Sequence, residues 1–180
     1  MINKSEDKRI GDWILTYTGR QFWPLDPRPD EVCIEDIAHA LSMLCRFGGH
    51  CSIFYSVAEH SVNTSRIVSQ EFAMAALLHD AAEAYVVDIP RPLKRYLSNY
   101  STVEQVVWMS ITKRFGIPNE LPEEVKQADI AMLKAEASQI MAAHPTAWES
   151  YKIAANVKIV GLPPQYAKCL FMDRFIELST

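Results

Sequence analysis

The chain has no run of about 20 apolar residues, the length a membrane-spanning helix needs. Its first residues, Met1 to Arg9, are polar and charged where a signal peptide carries an apolar core. The expected location is therefore the cytoplasm, with no membrane partner. None of the four cysteines (Cys33, Cys45, Cys51, Cys169) is spaced Cys-x-x-Cys, which excludes zinc-ribbon and thioredoxin-type pairs. Cys45 and Cys51 can meet in a loop, but reduced thiols are the ordinary state in that compartment. Positive charge is not in excess: 18 Lys and Arg stand against 22 Asp and Glu, a net charge of −4. General nucleic-acid binding is not expected, although a local basic pocket is compatible with this balance. There is no internal repeat, low-complexity stretch or linker. The 180 residues fit one domain, long enough to bury roughly two-thirds of the unfolded surface.

What is present reads as helix. Residues 11–24 form the exception, a short extended element in which Ile14, Tyr17, Phe22 and Trp23 flank the turn signal Thr18-Gly19. A helix fits Glu31 to about Cys45, with Ile34, Ile37, Leu41 and Leu44 on one face, stopped by Gly48-Gly49. Ser56-Val-Ala-Glu59 matches a capping box and starts a second helix carrying His60. A third fits Gln70 to Tyr85. Pro90-Arg-Pro92 opens a short fourth, and a fifth covers 101–115. A sixth runs from near Pro122 to about Ala143, and the remainder reads as helix broken at Gly161-Leu-Pro-Pro164. His144, beside Pro145, reads as a loop residue. The expected fold is all-α, one compact helical bundle over 1–180 with a core at about 31–143 and a short N-terminal β-hairpin.

The third helix carries the chemistry. From Phe72 to Val87 it is apolar on every side, so it belongs in the centre of the molecule. Its groups charged or readily charged near neutral pH are His79, Asp80 and Glu83. Buried charges need partners or a metal. His79 and Glu83, four apart, share a face, with Asp80 at its edge. Two further polar residues occupy places where the pattern asks for apolar ones. His60 lies in a stripe with Val57, Thr64 and Ile67. Asp129 has Val125 four before it and Met132 and Leu133 just after. The blander reading is a core histidine satisfied by an ion pair. Two imidazoles and two carboxylates together make an octahedral site for a borderline or hard divalent ion, with positions left for water.

The order His60, His79-Asp80, Asp129 resembles the signature of HD-domain metal-dependent phosphohydrolases. The segments Ala58-Glu-His-Ser61, His79-Asp-Ala-Ala-Glu83, Asp88-Ile-Pro-Arg-Pro-Leu-Lys94 and Val125-Lys-Gln-Ala-Asp129 resemble those of bacterial 5′-deoxynucleotidases of the YfbR-like branch. The likeness covers roughly 46–133. It implies His60, His79, Asp80 and Asp129 as ligands of one divalent metal ion, with Mn, Co, Fe, Mg and Zn all compatible. It implies Glu83 as the residue that orients or deprotonates the attacking water, and Asp88 as a helper near the leaving oxygen. Arg46, some fourteen residues before His60, stands where the branch places a phosphate-binding arginine. Lys94 and Lys126 are the other candidates for phosphate contact, and Phe47 the candidate for contact with the base. The branch contains dimers and larger assemblies, which leaves a homo-oligomer open.

The activity implied is hydrolysis of a (deoxy)nucleotide, first of all a deoxynucleoside 5′-monophosphate. Release of triphosphate from a dNTP, as in small phage-type HD enzymes, uses the same scaffold, and a cyclic-nucleotide or (p)ppGpp-type phosphodiesterase is a third option. A non-catalytic nucleotide sensor would keep the metal but has no need of Glu83 and Asp88. A di-iron oxygenase would need further histidines. Of those left, His50 follows the Gly48-Gly49 turn near Arg46 and is a candidate for substrate contact, and His39 has a helix partner in Glu35. Phe22, Trp23, Phe54 and Tyr55 are candidate pocket walls beside the commoner role of aromatic groups as core. Arg91 and Arg95 read as surface charges.

Overall fold

The computed structural model describes residues 8–143 and 153–180. The residues before Lys8, and His144 with its neighbours, lie outside that set. The fold is all-α with one small hairpin, as the patterning predicts. The hairpin pairs β1 (Ile14–Leu15) with β2 (Gln21–Phe22), in register Ile14 to Phe22. Its turn is clipped to the first helix, α1 (Ile34–Met43), because the buried Asp36 carboxylate accepts from the backbone N–H of Thr18 at 2.7 Å and its hydroxyl at 3.0 Å. His39 does not serve as a surface partner of Glu35. Its ring stacks on Tyr17 of the hairpin, centroids 3.7 Å apart. Phe22 is fully buried and stacks on Tyr85 at 3.8 Å, which makes it core.

Helix α2 (Val57–Arg66) begins as expected, with Ser56 Oγ accepting from the backbone N–H of Glu59. The other half of the capping box is missing. The buried Glu59 carboxylate turns away and accepts from the backbone N–H groups of Val160, Gly161 and Leu162 at 3.1, 3.1 and 2.6 Å. It thereby pins the strand-like approach to the last helix. Gly161 has φ +75°, and a Cβ there would stand 2.8 Å from the Phe54 carbonyl, so only glycine fits.

The third helix is not continuous. A 3-10 turn (Gln70–Phe72) leads into α3 (Ala73–Leu78), followed by turns at 79–82 and α4 (Glu83–Val86). The backbone N–H groups of Ala81 and Glu83 bond three residues back, to Leu78 and Asp80, so the chain tightens where the charged residues stand. Its central position is as expected: Ala73, Ala76, Leu77, Leu78 and Ala81 are fully buried. Then follow α5 (Arg91–Lys94), α6 (Ser98–Phe115) and α7 (Glu123–Ile140). Gly116, with φ +68°, supplies the left-handed residue that ends α6.

Residues 153–163 are irregular rather than helical. The final helix, α8 (Pro164–Leu178), opens with Pro164, whose missing N–H costs nothing in a first turn. It packs on α1, α2 and α3, and its Ala167 and Phe171 are fully buried with Ile37, Leu41 and Leu77. The core therefore extends beyond 31–143, back to Phe22 and forward through α8. No helix among the described residues is long and apolar enough to cross a membrane.

Candidate metal centre

Three separate parts of the chain bring polar side chains to one point. α2 supplies His60, the tight turn after α3 supplies His79 and Asp80, and α7 supplies Asp129. His60 Nε2 lies 3.2 Å from His79 Nε2 and 3.2 Å from Asp129 Oδ1. His79 Nε2 lies 3.8 Å from the same Asp129 oxygen. Asp80 Oδ2 stands 3.3 Å from His79 Nε2 and 3.7 Å from His60 Nε2. Ligands about 2.1 Å from a common ion sit about 3.0 Å apart when cis and about 4.2 Å when trans. The observed spacings fall between, so His60, His79 and Asp129 can hold a metal ion, and Asp80, near both imidazoles, stands outside that mutually close group.

The backbone and one further carboxylate orient the two rings. His79 Nδ1 lies 2.7 Å from the Ala76 carbonyl oxygen, and His60 Nδ1 lies 2.5 Å from Glu136 Oε1. Each partner accepts a hydrogen bond from Nδ1–H, which leaves both Nε2 lone pairs pointing at the same place, as metal-bound imidazoles require. Two lone pairs 3.2 Å apart need a cation or a proton between them. The His60 and His79 side chains are buried, whereas those of Asp80 and Asp129 are 20% and 28% exposed, so the cluster opens on the carboxylate side.

The electrostatics have the same sense. Burial and Arg46 push His60 towards neutrality, but Glu136 and Asp129 outweigh them and raise its pKa to about 9. For His79 burial is again outweighed, by Asp80 and Asp129, and the pKa rises. Burial works against the charged form of Asp129, yet the two imidazoles hold it far below the usual carboxylate range. Glu83 is raised well above its ordinary value, first by burial and then by Asp80 and Asp88. Its Oε2 is buried with no hydrogen-bond partner among the described residues. Asp88 is raised by burial and by Asp80, against Arg46 and Lys94. Between Glu83 and Asp88 the backbone passes through Val87 at φ +64°, an outlier for a β-branched residue.

Arg46 reaches the cluster, with NH1 3.4 Å from Asp80 Oδ2 and Nε 3.2 Å from Glu136 Oε2. A cleft of about 320 Å³ leads from His79, Asp80 and Glu83 past Lys94 and Lys126. Both lysines line it, and each is already paired: Lys94 with Glu104 at 2.6 Å, Lys126 with Glu120 at 3.4 Å. Lys126 lies at the rim, 43% exposed. Phe47 does not line the cleft. It packs beside Tyr55 and Met132 in a second small core, its ring 5.4 Å from the Arg46 guanidinium carbon. The aromatic residue in the cleft is Trp108, whose Nε1–H donates to the Asn119 carbonyl. Trp23 lies beside Trp13 and under Arg9, and His50 is exposed. Cys45 and Cys51 do meet, as free thiols 3.6 Å apart.

Sequence reasoning missed Glu136 and Trp108, and Tyr55, read as a candidate pocket wall, is instead fully buried and donates its hydroxyl to Glu136 at 3.0 Å. Glu136 was within reach, since it lies two turns beyond Asp129 and on the same stripe as Val125, Met132 and Ile140.

Fold and site define an all-α protein with a buried histidine–aspartate cluster suited to a metal ion. No family model matches the chain. Over 170 residues it is 41% identical to Uncharacterized protein YfdR of Escherichia coli (strain K12), covering 93% of this chain and 96% of that one. It is 34% identical over 142 residues to an uncharacterized protein of Rhodobacter capsulatus, 71% of this chain and 72% of the relative. The chain belongs to the family of YfdR.

Proposed function

We propose that the protein is a metal-dependent phosphohydrolase of the HD type, releasing phosphate from a nucleotide monoester, first of all a deoxynucleoside 5′-monophosphate. The observation that carries this reading is the convergence of His60, His79, Asp80 and Asp129 beside a cleft that His79, Asp80 and Glu83 line, with Glu83 Oε2 buried and without a hydrogen-bond partner among the described residues. A divalent ion there would lower the pKa of a bound water and polarise a phosphoryl oxygen. Glu83, with its pKa raised by burial and by its carboxylate neighbours, is a stronger base than an ordinary carboxylate and is suited to take a proton from water. Arg46 supplies N–H donors for the charge on phosphate. Asp88, also raised, is suited to donate a proton towards a leaving oxygen.

The lining of the cleft favours a monophosphate over a triphosphate. Lys94 and Lys126 are each matched by a carboxylate, and Asp80 and Glu83 add negative charge. Nothing there offsets the extra charge of two more phosphates. The volume is at the small end of the range for ligand pockets, about 300–1,000 Å³. One ion rather than two is favoured because, among the described residues, this is the single cluster of its kind. His39 and His50 are placed elsewhere.

The test is hydrolysis by the purified protein of deoxynucleoside monophosphates, dNTPs and cyclic nucleotides, each with Mn, Co, Fe(II), Mg and Zn. Inorganic phosphate from the monophosphates is the expected product. Triphosphate release from dNTPs would replace this reading with the phage-type one. Nucleotide binding without turnover under every metal would leave a sensor, the role that an unpartnered carboxylate beside the cluster argues against.

A further inference from the structure

Glu136 belongs to none of the motifs that define the cluster, yet it is as enclosed as His60, with no exposed surface. Its two oxygens serve three donors. Oε1 accepts from His60 Nδ1–H at 2.5 Å and from the Tyr55 hydroxyl at 3.0 Å, and Oε2 accepts from Arg46 Nε–H at 3.2 Å. Arg46 in turn reaches Asp80 through NH1 at 3.4 Å. One carboxylate thus spans a metal-binding imidazole and an anion-binding guanidinium.

We propose that Glu136 is a positioning residue that couples the metal-binding geometry of His60 to the phosphate-binding geometry of Arg46, an inference that rests on the phosphohydrolase reading of the site. On the His60 side, accepting from Nδ1–H fixes the tautomer and presents the Nε2 lone pair to the ion. On the Arg46 side, holding Nε–H fixes the plane of the guanidinium. Of its five N–H donors, two are engaged by Glu136 and Asp80, which leaves three for an oxyanion. The contact with Asp80 shows what Glu136 restrains. Released from Oε2, the guanidinium has a carboxylate of the cluster as its nearest alternative, and a closer pair there would draw an oxygen away from the ion. Removing Glu136 therefore affects both ligands of the site.

A purely structural ion pair would make a different pattern, and a double-mutant cycle separates the two. Mn²⁺ binding and inorganic phosphate binding to the Mn²⁺-loaded protein are measured by titration calorimetry in wild type, Glu136→Gln, Arg46→Ala and the double variant. Glu136→Gln is expected to weaken Mn²⁺ binding by roughly 10- to 100-fold, the usual range for a carboxylate behind a metal-bound histidine. It is also expected to weaken phosphate binding. In the Arg46→Ala background the same change should still weaken Mn²⁺ binding and no longer alter phosphate binding. Nitrogen NMR of His60 in the metal-free protein, at a pH alkaline enough for the ring to be neutral, should report a single Nδ1–H tautomer in the wild type and a mixture in Glu136→Gln. Wild-type affinities for both ligands in folded Glu136→Gln would overturn the coupling. So would an undiminished effect on phosphate in the Arg46→Ala background. If Glu136→Gln does not fold, Glu136→Asp keeps the charge but falls one methylene short of bridging. It is expected to lose affinity for at least one ligand, and wild-type values for both would overturn the proposal. If the wild-type protein binds no divalent ion, both this inference and the phosphohydrolase reading fall. Tight Mn²⁺ binding that is indifferent to Glu136 removes the coupling alone.

Discussion

Glu83→Gln should stabilise the metal-free protein while abolishing its turnover. The substitution keeps the size of the side chain, exchanges one carboxylate oxygen for an NH2 group and removes the charge. That charge is buried, and it is repelled by Asp80 and Asp88. Side chains one helical turn apart lie about 5–6 Å from each other. Two like charges at that distance repel by about 3 kcal/mol at an effective dielectric of about 20. Arg46 and Lys94 oppose this repulsion, so the net gain expected is about 1–2 kcal/mol. For a chain of this size that is a rise in Tm of about 2–8 °C. The pH dependence has a definite sign. An acid whose folded pKa is raised destabilises the fold once pH exceeds its unfolded value, and the effect grows until pH passes the folded value. The advantage of Glu83→Gln should therefore be full at alkaline pH and fade as pH falls and wild-type Glu83 takes up its proton. Thermal melts of chelator-treated wild type and variant across pH 4.5 to 8.5, as about four steps, measure it. In parallel, loss of proton transfer should cut kcat by about 10²- to 10⁴-fold with phosphate binding retained. Equal stability of the two proteins at neutral and alkaline pH would refute the claim that Glu83 carries an uncompensated charge. Full kcat in the variant would remove its role in proton transfer.

Four more outcomes can be checked. His60, raised to about 9, holds a proton in the metal-free protein that an ion must displace. Metal binding at pH 7 should release protons, seen as a buffer-dependent binding enthalpy, and affinity should rise with pH up to about 9. In the chelated protein the same group contributes stability that is full below its ordinary value of 6.5 and lost as pH rises through about 9. Lys126→Ala should raise KM only a few-fold and leave kcat nearly unchanged, because its charge is rim-exposed and shared with Glu120; an unchanged KM would return it to the surface. Phe171→Ala should cost about 3–5 kcal/mol in urea unfolding, the usual cost of deleting a buried ring. A loss below about 1 kcal/mol would mean that α8 is not part of the cooperative core.

The residues of the cluster were legible because each breaks a pattern. His60 and Asp129 occupy apolar stripes of α2 and α7, and His79 and Asp80 sit in a segment with no polar face. Caps and stops could be read for a similar reason, since Ser56, Gly116 and Pro164 have backbone preferences that local sequence expresses. Glu136 sends the same signal as Asp129 and was passed over because no familiar motif includes it. Other features have no local signature. The Glu59 carboxylate satisfies N–H groups a hundred residues away, and the capping-box pattern points its side chain to the wrong partner. His39 has a helix neighbour four residues back, yet an aromatic ring from the hairpin wins. The break at 79–82 contains neither glycine nor proline, so propensity could not predict it. Tertiary contact sets these three, and sequence spacing cannot rank contacts between distant segments.

The charges of the site form a system that is incomplete as a protein alone. Asp80, Glu83, Asp88, Asp129 and Glu136 face one guanidinium, Arg46, and two imidazoles, with Lys94, already paired with Glu104, on the side of Glu83 and Asp88. His60, His79, Glu83 and Asp88 are all shifted towards taking up a proton. Asp129 is shifted the other way by the positive imidazoles beside it, and Glu136 by His60, Arg46 and the Tyr55 hydroxyl. Such an interior draws in positive charge, and a divalent ion supplies it at the point where the lone pairs of both rings converge. The backbone is strained in the same cause. Val87 at φ +64° costs about 1–3 kcal/mol, and the Tyr100 hydroxyl donates to its carbonyl at 2.5 Å. That turn lets Asp88 follow Glu83 into the neighbourhood of Asp80 instead of leaving along the axis of α4. A fold selected for stability alone would neither crowd five carboxylates around one arginine nor twist a valine to add the last of them. A site that must hold a cation and move protons beside it has a use for both.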